Sequence, residues 1–288
     1  MNAALHTVPV IPPSPTAAAH RLGRLAITSL HAELACAPKP GLVTPWSQGS
    51  HQDMHAGTFL RSLFALRGYF VTVASAGARG MPFEQLRSHG IDAEAAMLRA
   101  TGGINTHRGA IFSLGLLVAA SARLRHTGAT RPQGIAVCQA VRDYWAPALL
   151  TAPLNSDSPG QRARQRHGVA GVREQAAQGF PLLRDVALPR LQAALRATQD
   201  RQAAMVQTLM SLIAVTTDLN LLHRGGERGL AFAQQQARRF LAEGGALQPG
   251  WRARLGPVCD AFEAKRLSPG GSADLLACAW FLHLQEHP

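Results

Sequence analysis

Aromatic side chains and lysines are scarce in this chain of 288 residues. Only 6% of the residues are Phe, Trp or Tyr, and Lys39 and Lys265 are the only lysines among 29 basic residues. Proteins that bind single-stranded nucleic acid interleave basic residues with aromatic rings on which the bases stack. The scarcity of aromatic rings therefore counts against a nucleic-acid-binding module.

The patterns of membrane spans, secretion signals and thiol-based metal sites are also missing. The longest apolar run, from Ala110 to Ala122, is too short to cross a bilayer. The four cysteines show no C-x-x-C spacing, which is typical of buried, reduced thiols. Residues 1–15 hold several prolines and no basic stretch, so we interpret them as a flexible tail and not as a signal peptide. Together these absences favour a cytoplasmic protein that does not associate with membranes.

The net charge of +12 at pH 7 favours acidic partners. Nucleotides, coenzyme-A-type molecules, nucleic acid and acidic proteins all fit such a charge. A coding bias towards GC-rich codons explains the excess of arginine equally well, because all but two of the basic residues are arginine. A lysine that persists against that bias is a candidate for a chemical role, and Lys39 lies inside a Pro- and Gly-rich cluster.

Helical periodicity runs through almost the whole chain. The first helix is predicted over residues 16–37, after a Ser-Pro-Thr start signal. Further helices are predicted at about 57–76, 83–100, 106–125, 132–150, 181–198, 200–223, 227–243, 250–265 and 272–285. No alternating apolar pattern predicts a strand. We therefore predict an all-α fold in one compact domain, residues 16–288, with about ten helices around a buried segment at 109–122.

One long stretch, residues 151–180, lacks helical periodicity. It contains prolines, serines and three closely spaced arginines. Irregular segments of this length in a compact domain are usually functional or disordered. We predict a mobile segment that covers the substrate, with a plain surface insertion as the alternative.

Five Gly-rich clusters between them combine glycine with cations, carboxylates, and amide or hydroxyl groups. They read P-K-P-G-L-V (38–43), G-S-H-Q-D-M (49–54), T-G-G-I-N-T-H-R-G (101–109), D-L-N-L-L-H-R-G-G (218–226) and S-P-G-G-S-A-D-L-L (268–276). Glycine lets the backbone approach a ligand closely. Helix starts bind phosphate and carboxylates bind divalent metals. The clusters therefore predict a site for a phosphorylated substrate and a metal, assembled from segments of the whole domain.

The first two clusters offer a cation and a polar pair. Lys39 lies between two prolines, and a stiff loop that presents an ammonium group is a good phosphate contact. The alternative is a turn that ends a helix and leaves the lysine in solvent. His51 and Asp53 are two residues apart, so they could hold a metal or act as a base and its partner. Asp53 could instead cap the next helix. His55 extends the pattern to H-x-D-x-H, a weaker hint of a transition metal.

The third cluster opens the apolar helix predicted from residue 106. Asn105 or Thr106 could cap this helix. Its free amides, together with Arg108, would attract a phosphate group. Further along, Arg173 and Glu174 end the long irregular stretch and could simply form a surface pair.

The last two clusters each contain an aspartate. Asp218 is expected late in a helix that Gly225 and Gly226 end, partly buried and in need of a partner or a metal. A structural salt bridge is the alternative. In the final cluster Ser268 or Ser272 could cap the last helix, and Asp274 suits the positive end of that helix. Capping alone therefore explains the final cluster.

The order of these motifs resembles the triphosphoribosyl-dephospho-CoA synthase family. The matching segments are P-K-P-G-L-V, G-S-H-x-D-M, A-T-G-G-I-N-T-H-R-G-A-I-F-S-L-G, H-G-x-x-G-x-R-E, D-x-N-L-L-x-R-G-G and S-P-G-G-S-A-D-L-L-A. The resemblance runs from about Leu22 to Leu284. Two positions depart from it: His55 stands where an acidic residue is expected, and Leu219 where threonine is expected. The length and the Arg-rich stretch favour the branch that serves malonate decarboxylase over the branch that serves citrate lyase.

The resemblance implies transfer of the triphosphoribosyl group of ATP. A ribose hydroxyl of 3′-dephospho-CoA attacks C1 of the ATP ribose, adenine leaves, and the triphosphate stays on the product. A separate phosphoribosyl-dephospho-CoA transferase then passes the group to an acyl carrier subunit.

The resemblance also implies roles for individual residues. Substrate or phosphate binding is expected of Lys39, Gly102, Gly103, Asn105, Thr106, Arg108, Arg173, Asn220, Arg224, Ser268, Gly270 and Gly271. Mg²⁺, bound with ATP, is expected at Asp53 or Asp218 ahead of Asp274, because Asp274 has an alternative explanation as a helix-start carboxylate. The general base is expected among His51, Asp53 and Glu174. His107 is expected to protonate adenine, and Glu94 or Asp274 to stabilise the cationic ribose.

Two other classes of protein share part of this pattern. An all-helical, metal-dependent ADP-ribosyl or nucleoside hydrolase would use water as acceptor and release adenine without dephospho-CoA. A nucleotide- or nucleic-acid-binding module would explain the charge alone. The chain has no G-x-x-x-x-G-K-[ST] loop, so phosphoryl transfer is not specially indicated. The oligomeric state stays open, with a homodimer as one option.

Overall fold

Helices account for nearly all of the chain that the computed structural model describes, which is residues 15–152, 164 and 166–287. In chain order α1 to α11 span Pro15–Ala35, Ala56–Ala78, Phe83–Thr101, Arg108–His126, Gly134–Thr151, Val172–Ala177, Leu188–Ala197, Arg201–Ile213, Leu219–Ala242, Trp251–Ala264 and Gly270–Glu286. A π-helical segment, Leu182–Ala187, precedes α7, and a 3₁₀ turn, Gly245–Leu247, follows α9. The described residues contain no strand and form a single compact domain, so the all-α prediction is confirmed.

Helix α4 forms the centre of the domain. All but one of its residues from Ala110 to Ala122 are buried, and it packs against α1, α2, α3, α5 and α11. A helix that is apolar on all sides belongs in the interior of a domain. The predicted buried segment at 109–122 is therefore found where the sequence placed it.

A glycine lets α2 cross α4 at very close range. A Cβ atom on Gly77 would lie 2.1 Å from the carbonyl oxygen of Ala119, so no larger residue fits this crossing. Nearer the start of α2, Ser62 contacts His107, the residue that precedes α4.

The α1–α2, α3–α4, α8–α9 and α10–α11 connections meet at one end of the helices, since residues of all four line one cavity. Arg224 of α9 donates to the carbonyl oxygen of Ser50, in the α1–α2 connection, at 3.1 Å. The Ser50 hydroxyl in turn donates to the carbonyl oxygen of Leu267, in the α10–α11 connection, at 2.6 Å. These bonds join segments that are far apart in the sequence, and they place the Gly-rich clusters side by side.

The prediction that Asp218 lies late in a helix is wrong. Helix α8 ends at Ile213, and Asp218 is the residue that caps the start of α9. The β-branched run Val215, Thr216 and Thr217 has a low helix propensity, which favours a break there. Gly226 does not end the helix; it adopts φ 60° and ψ −161°, a kink after which α9 continues to Ala242.

The prediction of one irregular stretch over 151–180 is only partly right. Helix α6 and its cap occupy residues 171–177, and α5 runs to Thr151. Residues 153–163 and 165 lie outside the described residues, so the substrate-covering role stays a prediction. The predicted tail also lies outside them, apart from Pro15, with which α1 begins.

The remaining sequence features agree with a packed interior. Cys36, Cys138, Cys259 and Cys278 are free thiols, and all but Cys259 are buried. Among the described helices, none is both long and apolar enough to cross a membrane.

Candidate active site

A cavity of about 770 Å³ opens where the four connections meet. Its wall includes most of the residues predicted for the site, namely His51, Glu94, Asn105, Thr106, His107, Arg108, Arg173, Asp218, Asn220, Arg224, Ser268, Gly270, Gly271 and Asp274. Lys39, Asp53, Gly102, Gly103 and Glu174 do not line it. The fold thus brings together residues from most of the predicted clusters.

Three helices begin at the wall of this cavity. Arg108 and Gly109 start α4, Leu219 starts α9, and Gly270 and Gly271 start α11. The first amides of a helix have no acceptor inside the helix, and they carry its partial positive charge. Among the described residues, no acceptor is in place for the backbone N–H groups of Gly109, Gly270 and Gly271. Such a convergence is suited to an anion.

Asp218 ties two of these helix starts together. One carboxylate oxygen accepts the N–H groups of Asn220 at 2.9 Å and Leu221 at 3.4 Å, which caps α9. The other oxygen accepts the N–H of Ser272 at 2.8 Å and its hydroxyl at 3.0 Å. Burial raises the pKa of this carboxyl, and the hydrogen bonds from Ser272, Asn220 and Leu221 oppose that rise. These four bonds give Asp218 a complete structural role.

The expected capping of α11 is wrong. Pro269 occupies the cap position without any side-chain hydrogen bond, and it is Asp218 that accepts the N–H of Ser272. Asp274 lies beyond the first turn of α11, so it is not a helix-start carboxylate. A Cβ atom on Gly271 would lie 3.2 Å from Asp218, so the start of α11 approaches this carboxylate closely.

Asp274 faces the cavity with few partners. The backbone N–H of Ala110, at the start of α4, donates to it, and a Cβ atom on Gly109 would lie 2.1 Å from one of its oxygens. Burial raises the pKa of this carboxyl well above its ordinary value, and the neighbouring carboxylates of Glu33 and Asp218 raise it further. In such surroundings a nearby cation would strongly favour the ionised form of the carboxyl group.

His107 is 4% exposed and has one ring nitrogen without a partner. Its Nδ1 lies 2.7 Å from the hydroxyl of Ser62 and 3.1 Å from that of Thr106. Burial lowers the pKa of His107 to about 3, and the positive charge of Lys39 contributes, so the ring is neutral. Because two hydroxyls can donate to Nδ1, we assign the ring proton to Nε2, the nitrogen without a partner.

His51 contacts Ser268 and Arg224. Its Nε2 lies 2.9 Å from the Ser268 hydroxyl, and its Nδ1 lies 3.0 Å from the Arg224 guanidinium. A guanidinium only donates, so Nδ1 accepts and Nε2 carries the proton. Burial lowers the pKa of His51 to about 4, with a further contribution from Arg224, while Asp53 opposes the change. Asp53 itself is 61% exposed and lies 3.8 Å from His51 Nδ1.

Glu94 and Arg108 form an ion pair on the cavity wall. About a third of each side chain is exposed, with values of 29% and 33%. The cap position of α4 is His107, without a side-chain cap bond, so the prediction that Asn105 or Thr106 caps this helix is wrong. The side-chain oxygen of Asn105 instead accepts the N–H of Arg108 at 3.1 Å from the preceding turn. The predicted stabiliser of the cationic ribose and the predicted phosphate contact are therefore neighbours.

Lys39 is buried beside Glu33 and does not present its ammonium group on the cavity wall. Its Nζ donates to the carbonyl oxygen of Glu33 at 2.6 Å and forms an ion pair with the Glu33 carboxylate. The side chains are 1% and 9% exposed. Glu33 lines the cavity and was missed in the sequence, where its only signal is a lone carboxylate within an apolar helix.

Three other predicted residues have local structural explanations. Glu174 caps α6, since its side chain accepts the N–H of Gly171 at 2.8 Å, and it pairs with Arg164 instead of the neighbouring Arg173. Gly102 and Gly103 adopt positive φ angles of 69° and 88° where α3 ends. The catalytic and phosphate-binding roles of these residues stay predictions.

The cap of α2 is His55 and not Asp53. His55 Nδ1 accepts the N–H of Gly57 at 3.1 Å, and the Thr58 hydroxyl accepts the N–H of His55. An acidic residue would serve equally well as a cap, so this departure from the family pattern preserves a local structure. Within the described residues no three His, Cys, Asp or Glu side chains are grouped as a metal site.

Comparison with known proteins covers almost the whole chain. The model of the ATP:dephospho-CoA triphosphoribosyl transferase family matches residues 19–288. A probable 2-(5″-triphosphoribosyl)-3′-dephosphocoenzyme-A synthase of Acinetobacter calcoaceticus is 40% identical over 270 residues, which cover 93% of this chain and 92% of that protein. The probable synthase of Stutzerimonas stutzeri (strain A1501) is 41% identical over 270 residues, 92% of this chain and 91% of that protein. The synthase of Escherichia fergusonii is 37% identical over 271 residues, 91% and 89% of the two chains. No solved structure matches.

Proposed function

Because the chain belongs to the ATP:dephospho-CoA triphosphoribosyl transferase family, we propose that its cavity holds ATP and 3′-dephospho-CoA together. A ribose hydroxyl of dephospho-CoA attacks C1 of the ATP ribose. The bond between C1 and adenine breaks, a bond between C1 and the acceptor oxygen forms, and all three phosphates stay on the product.

The convergence of three helix starts carries this proposal. The free amides of Gly109, Gly270 and Gly271 and the guanidinium groups of Arg108 and Arg224 lie along one wall. A triphosphate has enough negative oxygens to contact several helix starts at once, and bidentate arginines suit its geometry. Lys39 contributes indirectly in this scheme, because it neutralises Glu33 beneath that wall.

The residues of the cavity fit a magnesium ion bound with the triphosphate. Mg²⁺ takes one or two protein carboxylates together with phosphate oxygens and waters. Asp274 suits this role best, because it faces the cavity and has acceptor capacity beyond the N–H of Ala110. Asp218 already accepts four hydrogen bonds, and Asp53 is exposed and off the wall. The ion would neutralise phosphate charge.

His107 is proposed to assist the departure of adenine. Its Nε2 proton is buried and has no acceptor among the described residues, so it could donate a hydrogen bond to a ring nitrogen of adenine. Leaving such a donor unpaired costs about 1–3 kcal/mol, which binding of the base would recover. Glu94 stays a candidate for stabilising the positive charge that develops on the ribose.

His51 is proposed as the general base, under the control of Arg224. In the free protein Arg224 donates to Nδ1, the acceptor nitrogen of His51. If the triphosphate attracts Arg224, Nδ1 becomes free to accept the proton of the attacking hydroxyl. A positioned base of this kind typically contributes about 10²–10⁴-fold to the rate.

The product is proposed to supply an acyl carrier subunit, through a separate transferase. The length of the chain and its Arg-rich stretch favour malonate decarboxylase as the destination. Mixing the product with the transferase and the carrier subunits of each system would distinguish the two, because only the matching carrier should gain the mass of the group.

Adenine release tests the reaction itself. With ATP, Mg²⁺ and dephospho-CoA, we expect one adenine per dephospho-CoA consumed and no free phosphate or pyrophosphate. The Arg108→Met variant should raise the KM for ATP, and Arg142→Met, an exposed ion-paired arginine of α5, is the matched control. Adenine release indifferent to dephospho-CoA would favour the hydrolase alternative. Stoichiometric pyrophosphate would contradict both reactions, because neither breaks a bond between phosphates.

A further inference from the structure

An apolar channel leads away from the polar end of the cavity, between α3 and α4. Its wall includes Leu86, Gly90 and Ile91 of α3, Phe112 and Leu116 of α4, and Val172 of α6. The two helices run antiparallel, since Glu94 pairs with Arg108 and Gly90 lies opposite Ile111. From Glu94 back to Leu86 the helix rises about 12 Å. The channel therefore extends well beyond the residues assigned to the triphosphate.

Small residues and one tyrosine shape this channel. A Cβ atom on Gly90 would meet only Tyr69 Oη at 3.8 Å and Ile111 Cγ2 at 4.0 Å, so this side of α3 leaves space. The Tyr69 hydroxyl donates to the carbonyl oxygen of Ile111 at 2.8 Å. Its polar atom is thereby satisfied, and the channel wall stays apolar at this point.

We propose that this channel binds the pantetheine arm of dephospho-CoA. The inference rests on the proposed function, because it assigns one part of that acceptor to one part of the cavity. ATP is polar along its whole length, whereas pantetheine is a narrow chain with methyl and methylene groups and only a few amides. An apolar channel next to an anion site suits an acceptor with a charged and an apolar part.

Polar groups on the same wall fit the rest of this acceptor. Arg87 and Arg173 also line the cavity. The side-chain amide of Gln175 also lies on the wall and can hydrogen-bond an amide of the arm.

The Gly90→Leu variant tests the assignment by filling the channel. The KM for dephospho-CoA should rise roughly tenfold or more, because the arm loses its apolar surroundings, while the KM for ATP stays unchanged. Gly90→Ala should behave as the wild type, since its Cβ fits. Gly68→Leu, on the exposed face of α2 with nothing within 4 Å of its Cβ position, is the matched control.

Free pantetheine gives a test that needs no variant. It should inhibit the wild type competitively against dephospho-CoA, and its inhibition against ATP should not be competitive. Competitive inhibition against ATP, or no inhibition at all, would overturn the assignment. So would a Gly90→Leu variant that changes the KM for ATP or neither KM. If the wild type releases no adenine, the proposed function fails. Calorimetry would then test the channel separately: binding of pantetheine by the wild type but not by Gly90→Leu would support the channel, and any other result would overturn it.

Discussion

Replacing Lys39 with methionine should destabilise the protein strongly. The substitution leaves the Glu33 carboxylate buried beneath the cavity without its partner. Breaking a buried ion pair by removing one partner typically costs about 3–5 kcal/mol. For a domain of this size that corresponds to a fall in melting temperature of roughly 6–15 °C.

A double-mutant cycle identifies the cause. Lys39→Met, Glu33→Leu and the double variant are compared with the wild type by urea unfolding at pH 7. Either single variant leaves a buried charge, whereas the double variant leaves none and should recover most of the lost free energy of unfolding. A positive coupling of more than about 1 kcal/mol would establish the pair as a structural unit.

The opposite result would support the interpretation drawn from the sequence. If Lys39→Met keeps the melting temperature of the wild type but raises the KM for ATP, the lysine contacts phosphate and the buried pair is not the main role of the side chain. Additive effects of the two single substitutions would likewise refute the reasoning from burial.

Three further predictions follow from the geometry of the site. Asp274→Asn should raise the Mg²⁺ concentration that gives half-maximal adenine release. Asp218→Asn should mainly lower the melting temperature, since loss of a cap costs about 0.5–2 kcal/mol. Equal effects of the two variants on the Mg²⁺ dependence would contradict this assignment. The pKa of His107 is lowered to about 3 in the folded state, so between pH 6.5 and pH 3 the unfolded chain binds a proton that the folded chain does not. The free energy of unfolding should therefore fall by about 1.4 kcal/mol for each unit by which the pH is lowered in this range. Urea unfolding from pH 7 to pH 4 should show a flatter pH dependence for His107→Gln, and identical slopes would count against a buried neutral histidine. Gly109→Ala should reduce activity, because its Cβ would lie 2.1 Å from a carboxylate oxygen of Asp274; an unchanged rate would show that the carboxylate can move without consequence.

Helix content and the central position of α4 could be predicted because both depend on local pattern. A helical segment without a polar face, such as Ala110 to Ala122, is stable only in the interior of a helical domain. The gathering of the Gly-rich clusters is predicted from their shared residue types and is also implied by the family resemblance, whereas their separation in sequence gives no measure of their distance.

The roles of individual carboxylates could not be predicted, because they depend on helix boundaries and on partners from elsewhere. Asp218 was placed inside a helix, and a break of a few residues after Ile213 turns it into a cap that also holds α11. Asp274 was interpreted as a helix-start carboxylate, and a start at Gly270 moves it to the cavity wall. Glu33 looked like an ordinary helical residue, because nothing in the sequence shows that Lys39 folds back onto it.

The contact between Arg224 and His51 has a kinetic consequence. An arginine that occupies the acceptor nitrogen of the base until a triphosphate attracts it imposes an order on the two substrates. ATP would bind first and dephospho-CoA second, and without ATP the base would not be free to accept a proton from dephospho-CoA. A dead-end analogue of dephospho-CoA should then inhibit uncompetitively against ATP, while an analogue of ATP should inhibit competitively against ATP and noncompetitively against dephospho-CoA.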